Sequence, residues 1–167
     1  YSKMLLEKEA RAVCGDMPLT VLRPTFVYGP FNYAPRESFY FDLLKCGEPI
    51  PFPADATARF QMVYVKDVAQ AVMKCLGKSA AYGEVFHLAA PEEVTYGAWE
   101  AFLRSVAPHM QTYGVTVREV LERGIPLPFP LDQNELVDGS KAQRVLGLSY
   151  TPFEQGMTET KKLFDSI

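Results

Sequence analysis

The chain opens on Tyr1, Ser2 and Lys3 at the head of "YSKMLLEKEA", a run that reads as helix from its first residue. A tyrosine beside a lysine can move a proton, because a nearby ammonium favours the ionised phenol. Spacing decides whether this pair can do so. Helical residues three or four apart share a face, whereas residues two apart point to nearly opposite sides. Tyr1 and Lys3 are therefore not a working couple on a helix, and Leu5, one turn after Tyr1, offers no charge. A tyrosine partner for Lys3 would stand one turn earlier, ahead of the first residue. On local grounds alone Lys3 is also readable as a solvated residue paired with Glu7 at i,i+4, a contact worth about 0.2–0.5 kcal/mol.

Other chemistry is sparse. A dinucleotide cradle needs glycines two and three residues apart, so that backbone amides can approach a pyrophosphate. The two closest glycines, Gly77 and Gly83, are six apart. His87 lies in an apolar run and His109 follows Pro108, with no Cys or carboxylate spacing for a metal around either. No arrangement supports Ser-His-Asp catalysis. Cys14, Cys46 and Cys75 each fall late in a predicted helix without CxxC spacing, the pattern of reduced core thiols in a cytoplasmic protein. With 17 basic and 20 acidic residues the net charge is −3, which gives no electrostatic reason to expect nucleic acid or an anionic membrane as partner. No apolar run reaches the roughly 18 residues of a membrane span.

The elements that must position these residues alternate helix and strand. A helix over about 2–14 stops at Gly15, and "PLTVLRP" (18–24) reads as a buried strand closed by proline. An aromatic, Gly/Pro-rich loop follows, then a helix over 36–46 ending at Gly47. "FQMVYV" (60–65) and "GEVFHLAA" (83–90) are strands, separated by a helix running from Lys66 and Asp67 to about Leu76. Thr95 is expected to cap a helix that puts Trp99, Phe102, Leu103 and Val106 on one face. Residues 108–136 leave two options for "VTVREVLERG", a helix or a strand turning into one. Two helices close the chain, the second with Thr151 as N-cap and Pro152 at its first position. Phe39, Tyr40 and Phe41 are expected in the core. The rhythm is that of an α/β fold, with 167 residues enough for one compact unit.

"SK" with Glu7 four residues on, then "LRPTFVYGP", "FQMVYVKDVAQAV", "GEVFHLAA", "VTYGAWEAF" and "DGSKAQRVLGLSYTPFEQGM", occur in the order found in NAD(P)-dependent epimerase/dehydratases, the extended short-chain dehydrogenase/reductases. The chain resembles the C-terminal half of such an enzyme. The resemblance implies an α/β fold made of the end of a Rossmann sheet plus a small α+β substrate lobe, divided at residues 1–30 and 31–167. It implies that Ser2 and Lys3 are the last two positions of a Tyr-x-x-Ser-Lys motif, with Lys3 hydrogen-bonding the nicotinamide ribose of NAD or NADP and lowering the tyrosine pKa. Pro24, Thr25 and Phe26 would contact the nicotinamide and substrate. Tyr28, Asn32 and Arg36, in and after the "YGP" loop, and Arg59 and Gln61 would shape the substrate site. Asp67 matches the aspartate of the family's Val-x-Asp segment and is read as structural, accepting bonds at a helix N-terminus.

Two positions depart from the sugar-nucleotide members. Phe26 stands where many carry a substrate-binding asparagine. Phe60 stands where an arginine precedes the aspartate by seven, with Arg59 one step off and so facing away on a strand. Stretches such as "RPTFVYGPFNYAPRESFYFDLLKCGEPIPFP" also resemble the chloroplast stem-loop RNA-binding proteins and their bacterial cousins, which need not handle a sugar nucleotide. The expectation is an NAD(P)-dependent epimerase, dehydratase or reductase acting on a small polar, nucleotide-sugar-type or related substrate, with RNA binding as the alternative. Further expectations are a cytoplasmic homodimer without metal, inactivity of these residues alone, and a self-associating edge along "LTVL".

Overall fold

The computed structural model describes residues 2–166. The first helix, α1 (Lys3–Cys14), starts where the Ser2 hydroxyl accepts from the Met4 amide at 3.2 Å, and it stops where Gly15 takes φ 54°. It buries no residue, and Met4, Leu5, Leu6 and Val13 are all exposed. Strand β1 (Val21–Pro24) follows, then β2 (Phe26–Tyr28), α2 (Glu37–Cys46) and β3 (Ile50–Pro53). Next come β4 (Met62–Tyr64), α3 (Val65–Cys75), β5 (Val85–Leu88), α4 (Tyr96–Val106) and β6 (Thr112–Val115). Three helices, α5 (Val117–Arg123), α6 (Ser140–Leu146) and α7 (Phe153–Phe164), complete the fold.

The strands pair in three parallel couples: β1 with β5, β2 with β4, and β3 with β6. Parallel neighbours need long crossovers, and here each crossover carries helix. The first strand thus takes its partner from residues 85–88, far along the sequence. Two packed clusters result. One is aromatic, around Tyr40, Phe60, Trp99 and Phe129, and covers β2, β3 and β4 with α2, α4 and α7. The other is largely aliphatic, joining Val63, Ala71, Phe86, Leu88, Ala142 and Leu146 beneath β5, α3 and α6.

Several expectations change. The strand over 18–24 is shorter and not buried: Val21 and Leu22 are half-buried, Arg23 and Pro24 exposed, because among the described residues β1 has a neighbour on one flank only. Of the three free cysteines only Cys75 is a core thiol; Cys14 is half-buried and Cys46 exposed. Val106 points outward while Trp99, Phe102 and Leu103 are buried. "VTVREVLERG" resolves into β6 followed by α5, which begins with a reciprocal capping box between Thr116 and Glu119. Thr151 does not cap α7. Its hydroxyl and amide both donate to the buried Asp67 carboxylate at 2.8 Å, and the Phe153 amide is taken at 2.6 Å by Glu92 from another segment. Asp67 is thus structural, acting at the entry to a distant helix as well as in the first turn of α3. No helix among the described residues is long and apolar enough to cross a membrane.

Candidate functional site

α1 and β1 together enclose a cleft of about 550 Å³ lined by Lys3, Met4, Glu7 and Val21–Pro24. Glu7 does not pair with Lys3. Its two carboxylate oxygens accept from Arg23, Nε at 2.8 Å and Nη2 at 2.6 Å, a bidentate pair. These hydrogen bonds hold the Glu7 carboxyl below its usual range. The i,i+4 partner that could have neutralised Lys3 is therefore occupied, and among the described residues Lys3 makes no ion pair. The position of Tyr1 lies outside the described residues.

Beyond Pro24 the chain breaks at Thr25, whose amide and hydroxyl both donate to the Leu88 carbonyl, at 3.0 and 3.3 Å. This ties the end of β1 to β5 and sets the direction of β2. Phe26 then meets Phe60 and Phe129 edge-on, with centroids 5.8 and 6.1 Å away, while Phe60 and Phe129 stack at 4.7 Å. The Arg36 guanidinium lies 5.2 Å from the Phe26 centroid and reaches the Val27 carbonyl at 3.5 Å. Arg36 is half-buried on an aromatic face, not the exposed helix-start residue its position implies.

The expected strand over 60–65 shrinks to β4, so Arg59 and Phe60 lie ahead of it, Phe60 held by isolated bridges to Val94 and Glu135. Arg59 is exposed and pairs with Glu93 at 2.8 Å, whereas Phe60 is buried. Gln61 is buried with both ends of its amide engaged by backbone: Nε2 donates to Ala90 at 2.9 Å and Oε1 accepts from Val137 at 2.7 Å. Tyr28 is also buried, packed on Tyr64 and Phe153, and burial raises its phenol pKa. Asn32 donates to Val27 and to Glu37, and its Oδ1 accepts from Ala34 at 3.1 Å.

The structure therefore brings Lys3 and Pro24 into one cleft, and Phe26 and Arg36 into one stack. Tyr28 and Gln61 support from within the core, and Arg59 sits on the surface. Two participants were missed in the sequence: Phe129, which sits in the ambiguous stretch, and Glu37, whose burial no spacing announces. Among the described residues no cluster of His, Cys, Asp and Glu could hold a metal.

Residues 1–90 match the NAD dependent epimerase/dehydratase family. The chain belongs to that family. A curated relative, chloroplast stem-loop binding protein of 41 kDa b from Arabidopsis thaliana, is 33% identical over 145 residues, covering 85% of this chain and 38% of its own length. UDP-glucose 4-epimerase from Thermotoga maritima, solved with UDP-glucose, shares the fold at a TM-score of 0.74 and 22% identity, over 98% of this chain and 50% of that one. UDP-glucuronic acid 4-epimerase from Bacillus cereus, solved with UDP-glucuronic acid and NAD, does so at 0.74 and 18%, over 96% and 50%. This family member thus spans about half of each solved structure. Its parallel-stranded α/β architecture is that of the Rossmann-like epimerases.

Proposed function

We propose that this chain forms the C-terminal, substrate-side half of an NAD(P)-dependent epimerase, dehydratase or reductase acting on a small polar substrate. The observation that carries the reading is the cleft at the head of α1. There Arg23 holds Glu7 and leaves the Lys3 ammonium without an ion pair among the described residues. Such a cation fits the nicotinamide end of a dinucleotide. The glycine spacing of these residues does not fit the pyrophosphate end, so these 167 residues alone should be catalytically silent. Lys3 would hydrogen-bond the nicotinamide ribose and favour the ionised form of a tyrosine one helical turn ahead of it. That tyrosine would act as acid and base. The cofactor, NAD or NADP, supplies a hydride acceptor and donor when bound.

Pro24, Thr25 and Phe26 would flank the nicotinamide, and Arg36, its guanidinium 5.2 Å from the Phe26 centroid, would face an anionic group of the substrate. The two positions that depart from the sugar-nucleotide pattern, Phe26 and Phe60, meet edge-on and carry no group that could hydrogen-bond a phosphate. This supports a substrate that lacks a nucleoside diphosphate. A homodimer completes the proposal. In the full-length protein, Lys3→Met should abolish turnover and weaken NAD(P) binding by about tenfold or more, equivalent to roughly 1.4 kcal/mol. Cofactor affinity unchanged by that substitution would overturn the reading.

One observation favours a second reading. The loop after β2 presents Phe31 and Tyr33 at 87% and 99% exposure, free to stack on unpaired bases. The Arabidopsis relative is named for stem-loop binding, whereas the net charge of −3 opposes it. Retention of the full-length protein on an RNA stem-loop, falling with salt and lost in a Phe31→Ala/Tyr33→Ala double variant, would replace the enzyme reading.

A further inference from the structure

A second cleft opens between α2 and α7, sharing no lining residue with the cleft at Lys3. Its volume of about 370 Å³ is that of a small-ligand site. Glu37, Phe41, Asp42 and Lys45 line it from α2, Thr160 and Phe164 from α7, and the loop over residues 29–32 closes one end.

Glu37 is 2% exposed, and its carboxylate is short of donors. Oε1 accepts from the Gly29 amide at 3.0 Å, and a single Asn32 amide group is shared between Oε1 at 3.2 Å and Oε2 at 3.1 Å. An ionised carboxylate has about four acceptor positions. The Gly29 amide, the Asn32 amide and Glu37's own backbone amide serve them here, three donors for four positions, and among the described residues no cation pairs with Glu37. The adjacent Arg36 is turned onto Phe26 and the Val27 carbonyl instead. Buried carboxylates are ordinarily paired, because an uncompensated charge is costly away from water. Burial accordingly pushes the Glu37 pKa up, opposed by hydrogen bonds from the Gly29 amide, its own amide and Asn32 and, least, by the Arg36 charge.

The remaining walls favour positive charge. Asp42 adds a second carboxylate. The ring faces of Phe41 and Phe164 already draw cations from the chain itself: Lys161 Nζ lies 5.7 Å from the Phe41 centroid and Lys45 Nζ 5.6 Å from that of Phe164. Of the two, Lys45 lines the cleft, on a long stem that can swing aside.

We infer that the cleft between α2 and α7 binds a small organic ammonium ion bearing an aromatic body, its N–H groups completing the Glu37 carboxylate and its ring packing on Phe41 and Phe164. The inference stands apart from the cofactor reading, since Lys3 takes no part. It is tested by titrating the full-length protein with 2-phenylethylammonium, its neutral analogue 2-phenylethanol and the anion phenylacetate, following heteronuclear NMR shifts of Gly29, Asn32 and Thr160. The ammonium should bind saturably, the alcohol about tenfold more weakly and the carboxylate not at all. Glu37→Gln should remove the preference for the ammonium over the alcohol. Lys45→Ala, which deletes the internal competitor, should tighten ammonium binding, and Lys3→Met should leave it unchanged. Equal binding of the alcohol, stronger binding of phenylacetate, absence of saturable shifts, or weakening by Lys45→Ala would each overturn the inference. Should Glu37→Gln fail to fold, the probe series and the lysine variants decide alone.

Discussion

Between Ser2 and Pro24 no side chain is fully buried, whereas Tyr40, Phe60 and Trp99 in the aromatic cluster are sealed from solvent. The first region carries the candidate catalytic lysine and the second carries the stability. An isolated helix of 12 residues is marginal in water even with good propensity. α1 therefore rests on the Ser2 cap, the Glu7–Arg23 pair and a contact from Arg11 to the Gly83 carbonyl, while Met4, Leu5, Leu6 and Val13 stay bare. Contiguous exposed apolar surface marks a place of contact. The aromatic lobe needs no such completion, since its rings interlock around Phe129, which meets Phe26, Tyr40, Phe60, Tyr96 and Trp99. In the proposed reading, the lysine's role falls on a sparsely packed element beside a densely packed aromatic block.

The strongest way to break that contrast is to empty the block. Phe129→Ala should lose about 3–5 kcal/mol in chemical denaturation, and a loss below 1 kcal/mol would show that the lobe is not the stabilising unit. Next comes Gly156→Ala. A Cβ there would lie 2.3 Å from the Tyr28 hydroxyl oxygen and 3.0 Å from Cζ, so overpacking should cost about 1–3 kcal/mol. A Tyr28→Phe companion should recover part of this, because it removes the closer atom. A smaller and local effect is expected on acidification. The folded Glu7 pKa is lowered by Arg23, so the pair's support is complete above the ordinary carboxylate range and is lost as pH falls through the lowered value. Amide exchange should then quicken in α1 while α4 stays protected. Smallest of all, Leu5→Ala or Val13→Ala should shift stability by no more than about 0.5 kcal/mol. A larger loss in either would mean that α1 packs more tightly than its exposure indicates.

Much of the architecture was legible because its signals are local. Gly15 and Gly47 end their helices, Thr95 caps α4 by accepting from the Ala98 amide at 3.1 Å, and the apolar runs around Leu22, Val63 and Phe86 became strands. What escaped was set by residues far apart in sequence. Thr151 sits before a helix with the right chemistry for a cap, yet Asp67 claims it and Glu92 caps the helix instead. Arg23 takes Glu7 across the gap between α1 and β1, a partner no i,i+4 rule supplies. The Thr116–Glu119 capping box was a local signal that would have resolved the ambiguous stretch. For the candidate site, the family motif indicated Lys3 and Pro24. The burial of Glu37 and the arrival of Phe129 on Phe26 depend on tertiary packing alone.

The pairing of strands also orders events at the ribosome. Among the described residues every ladder is parallel and none closes as a hairpin: Phe26 waits for Met62, Val21 for Val85, and Ile50 for Thr112. Within these residues β1 finds its partner only after β5 has cleared the exit tunnel, and contacts of such wide sequence separation form slowly. A nascent chain of this kind spends longer with naked strand edges than a meander of equal size, and it should lean on chaperones to keep those edges apart.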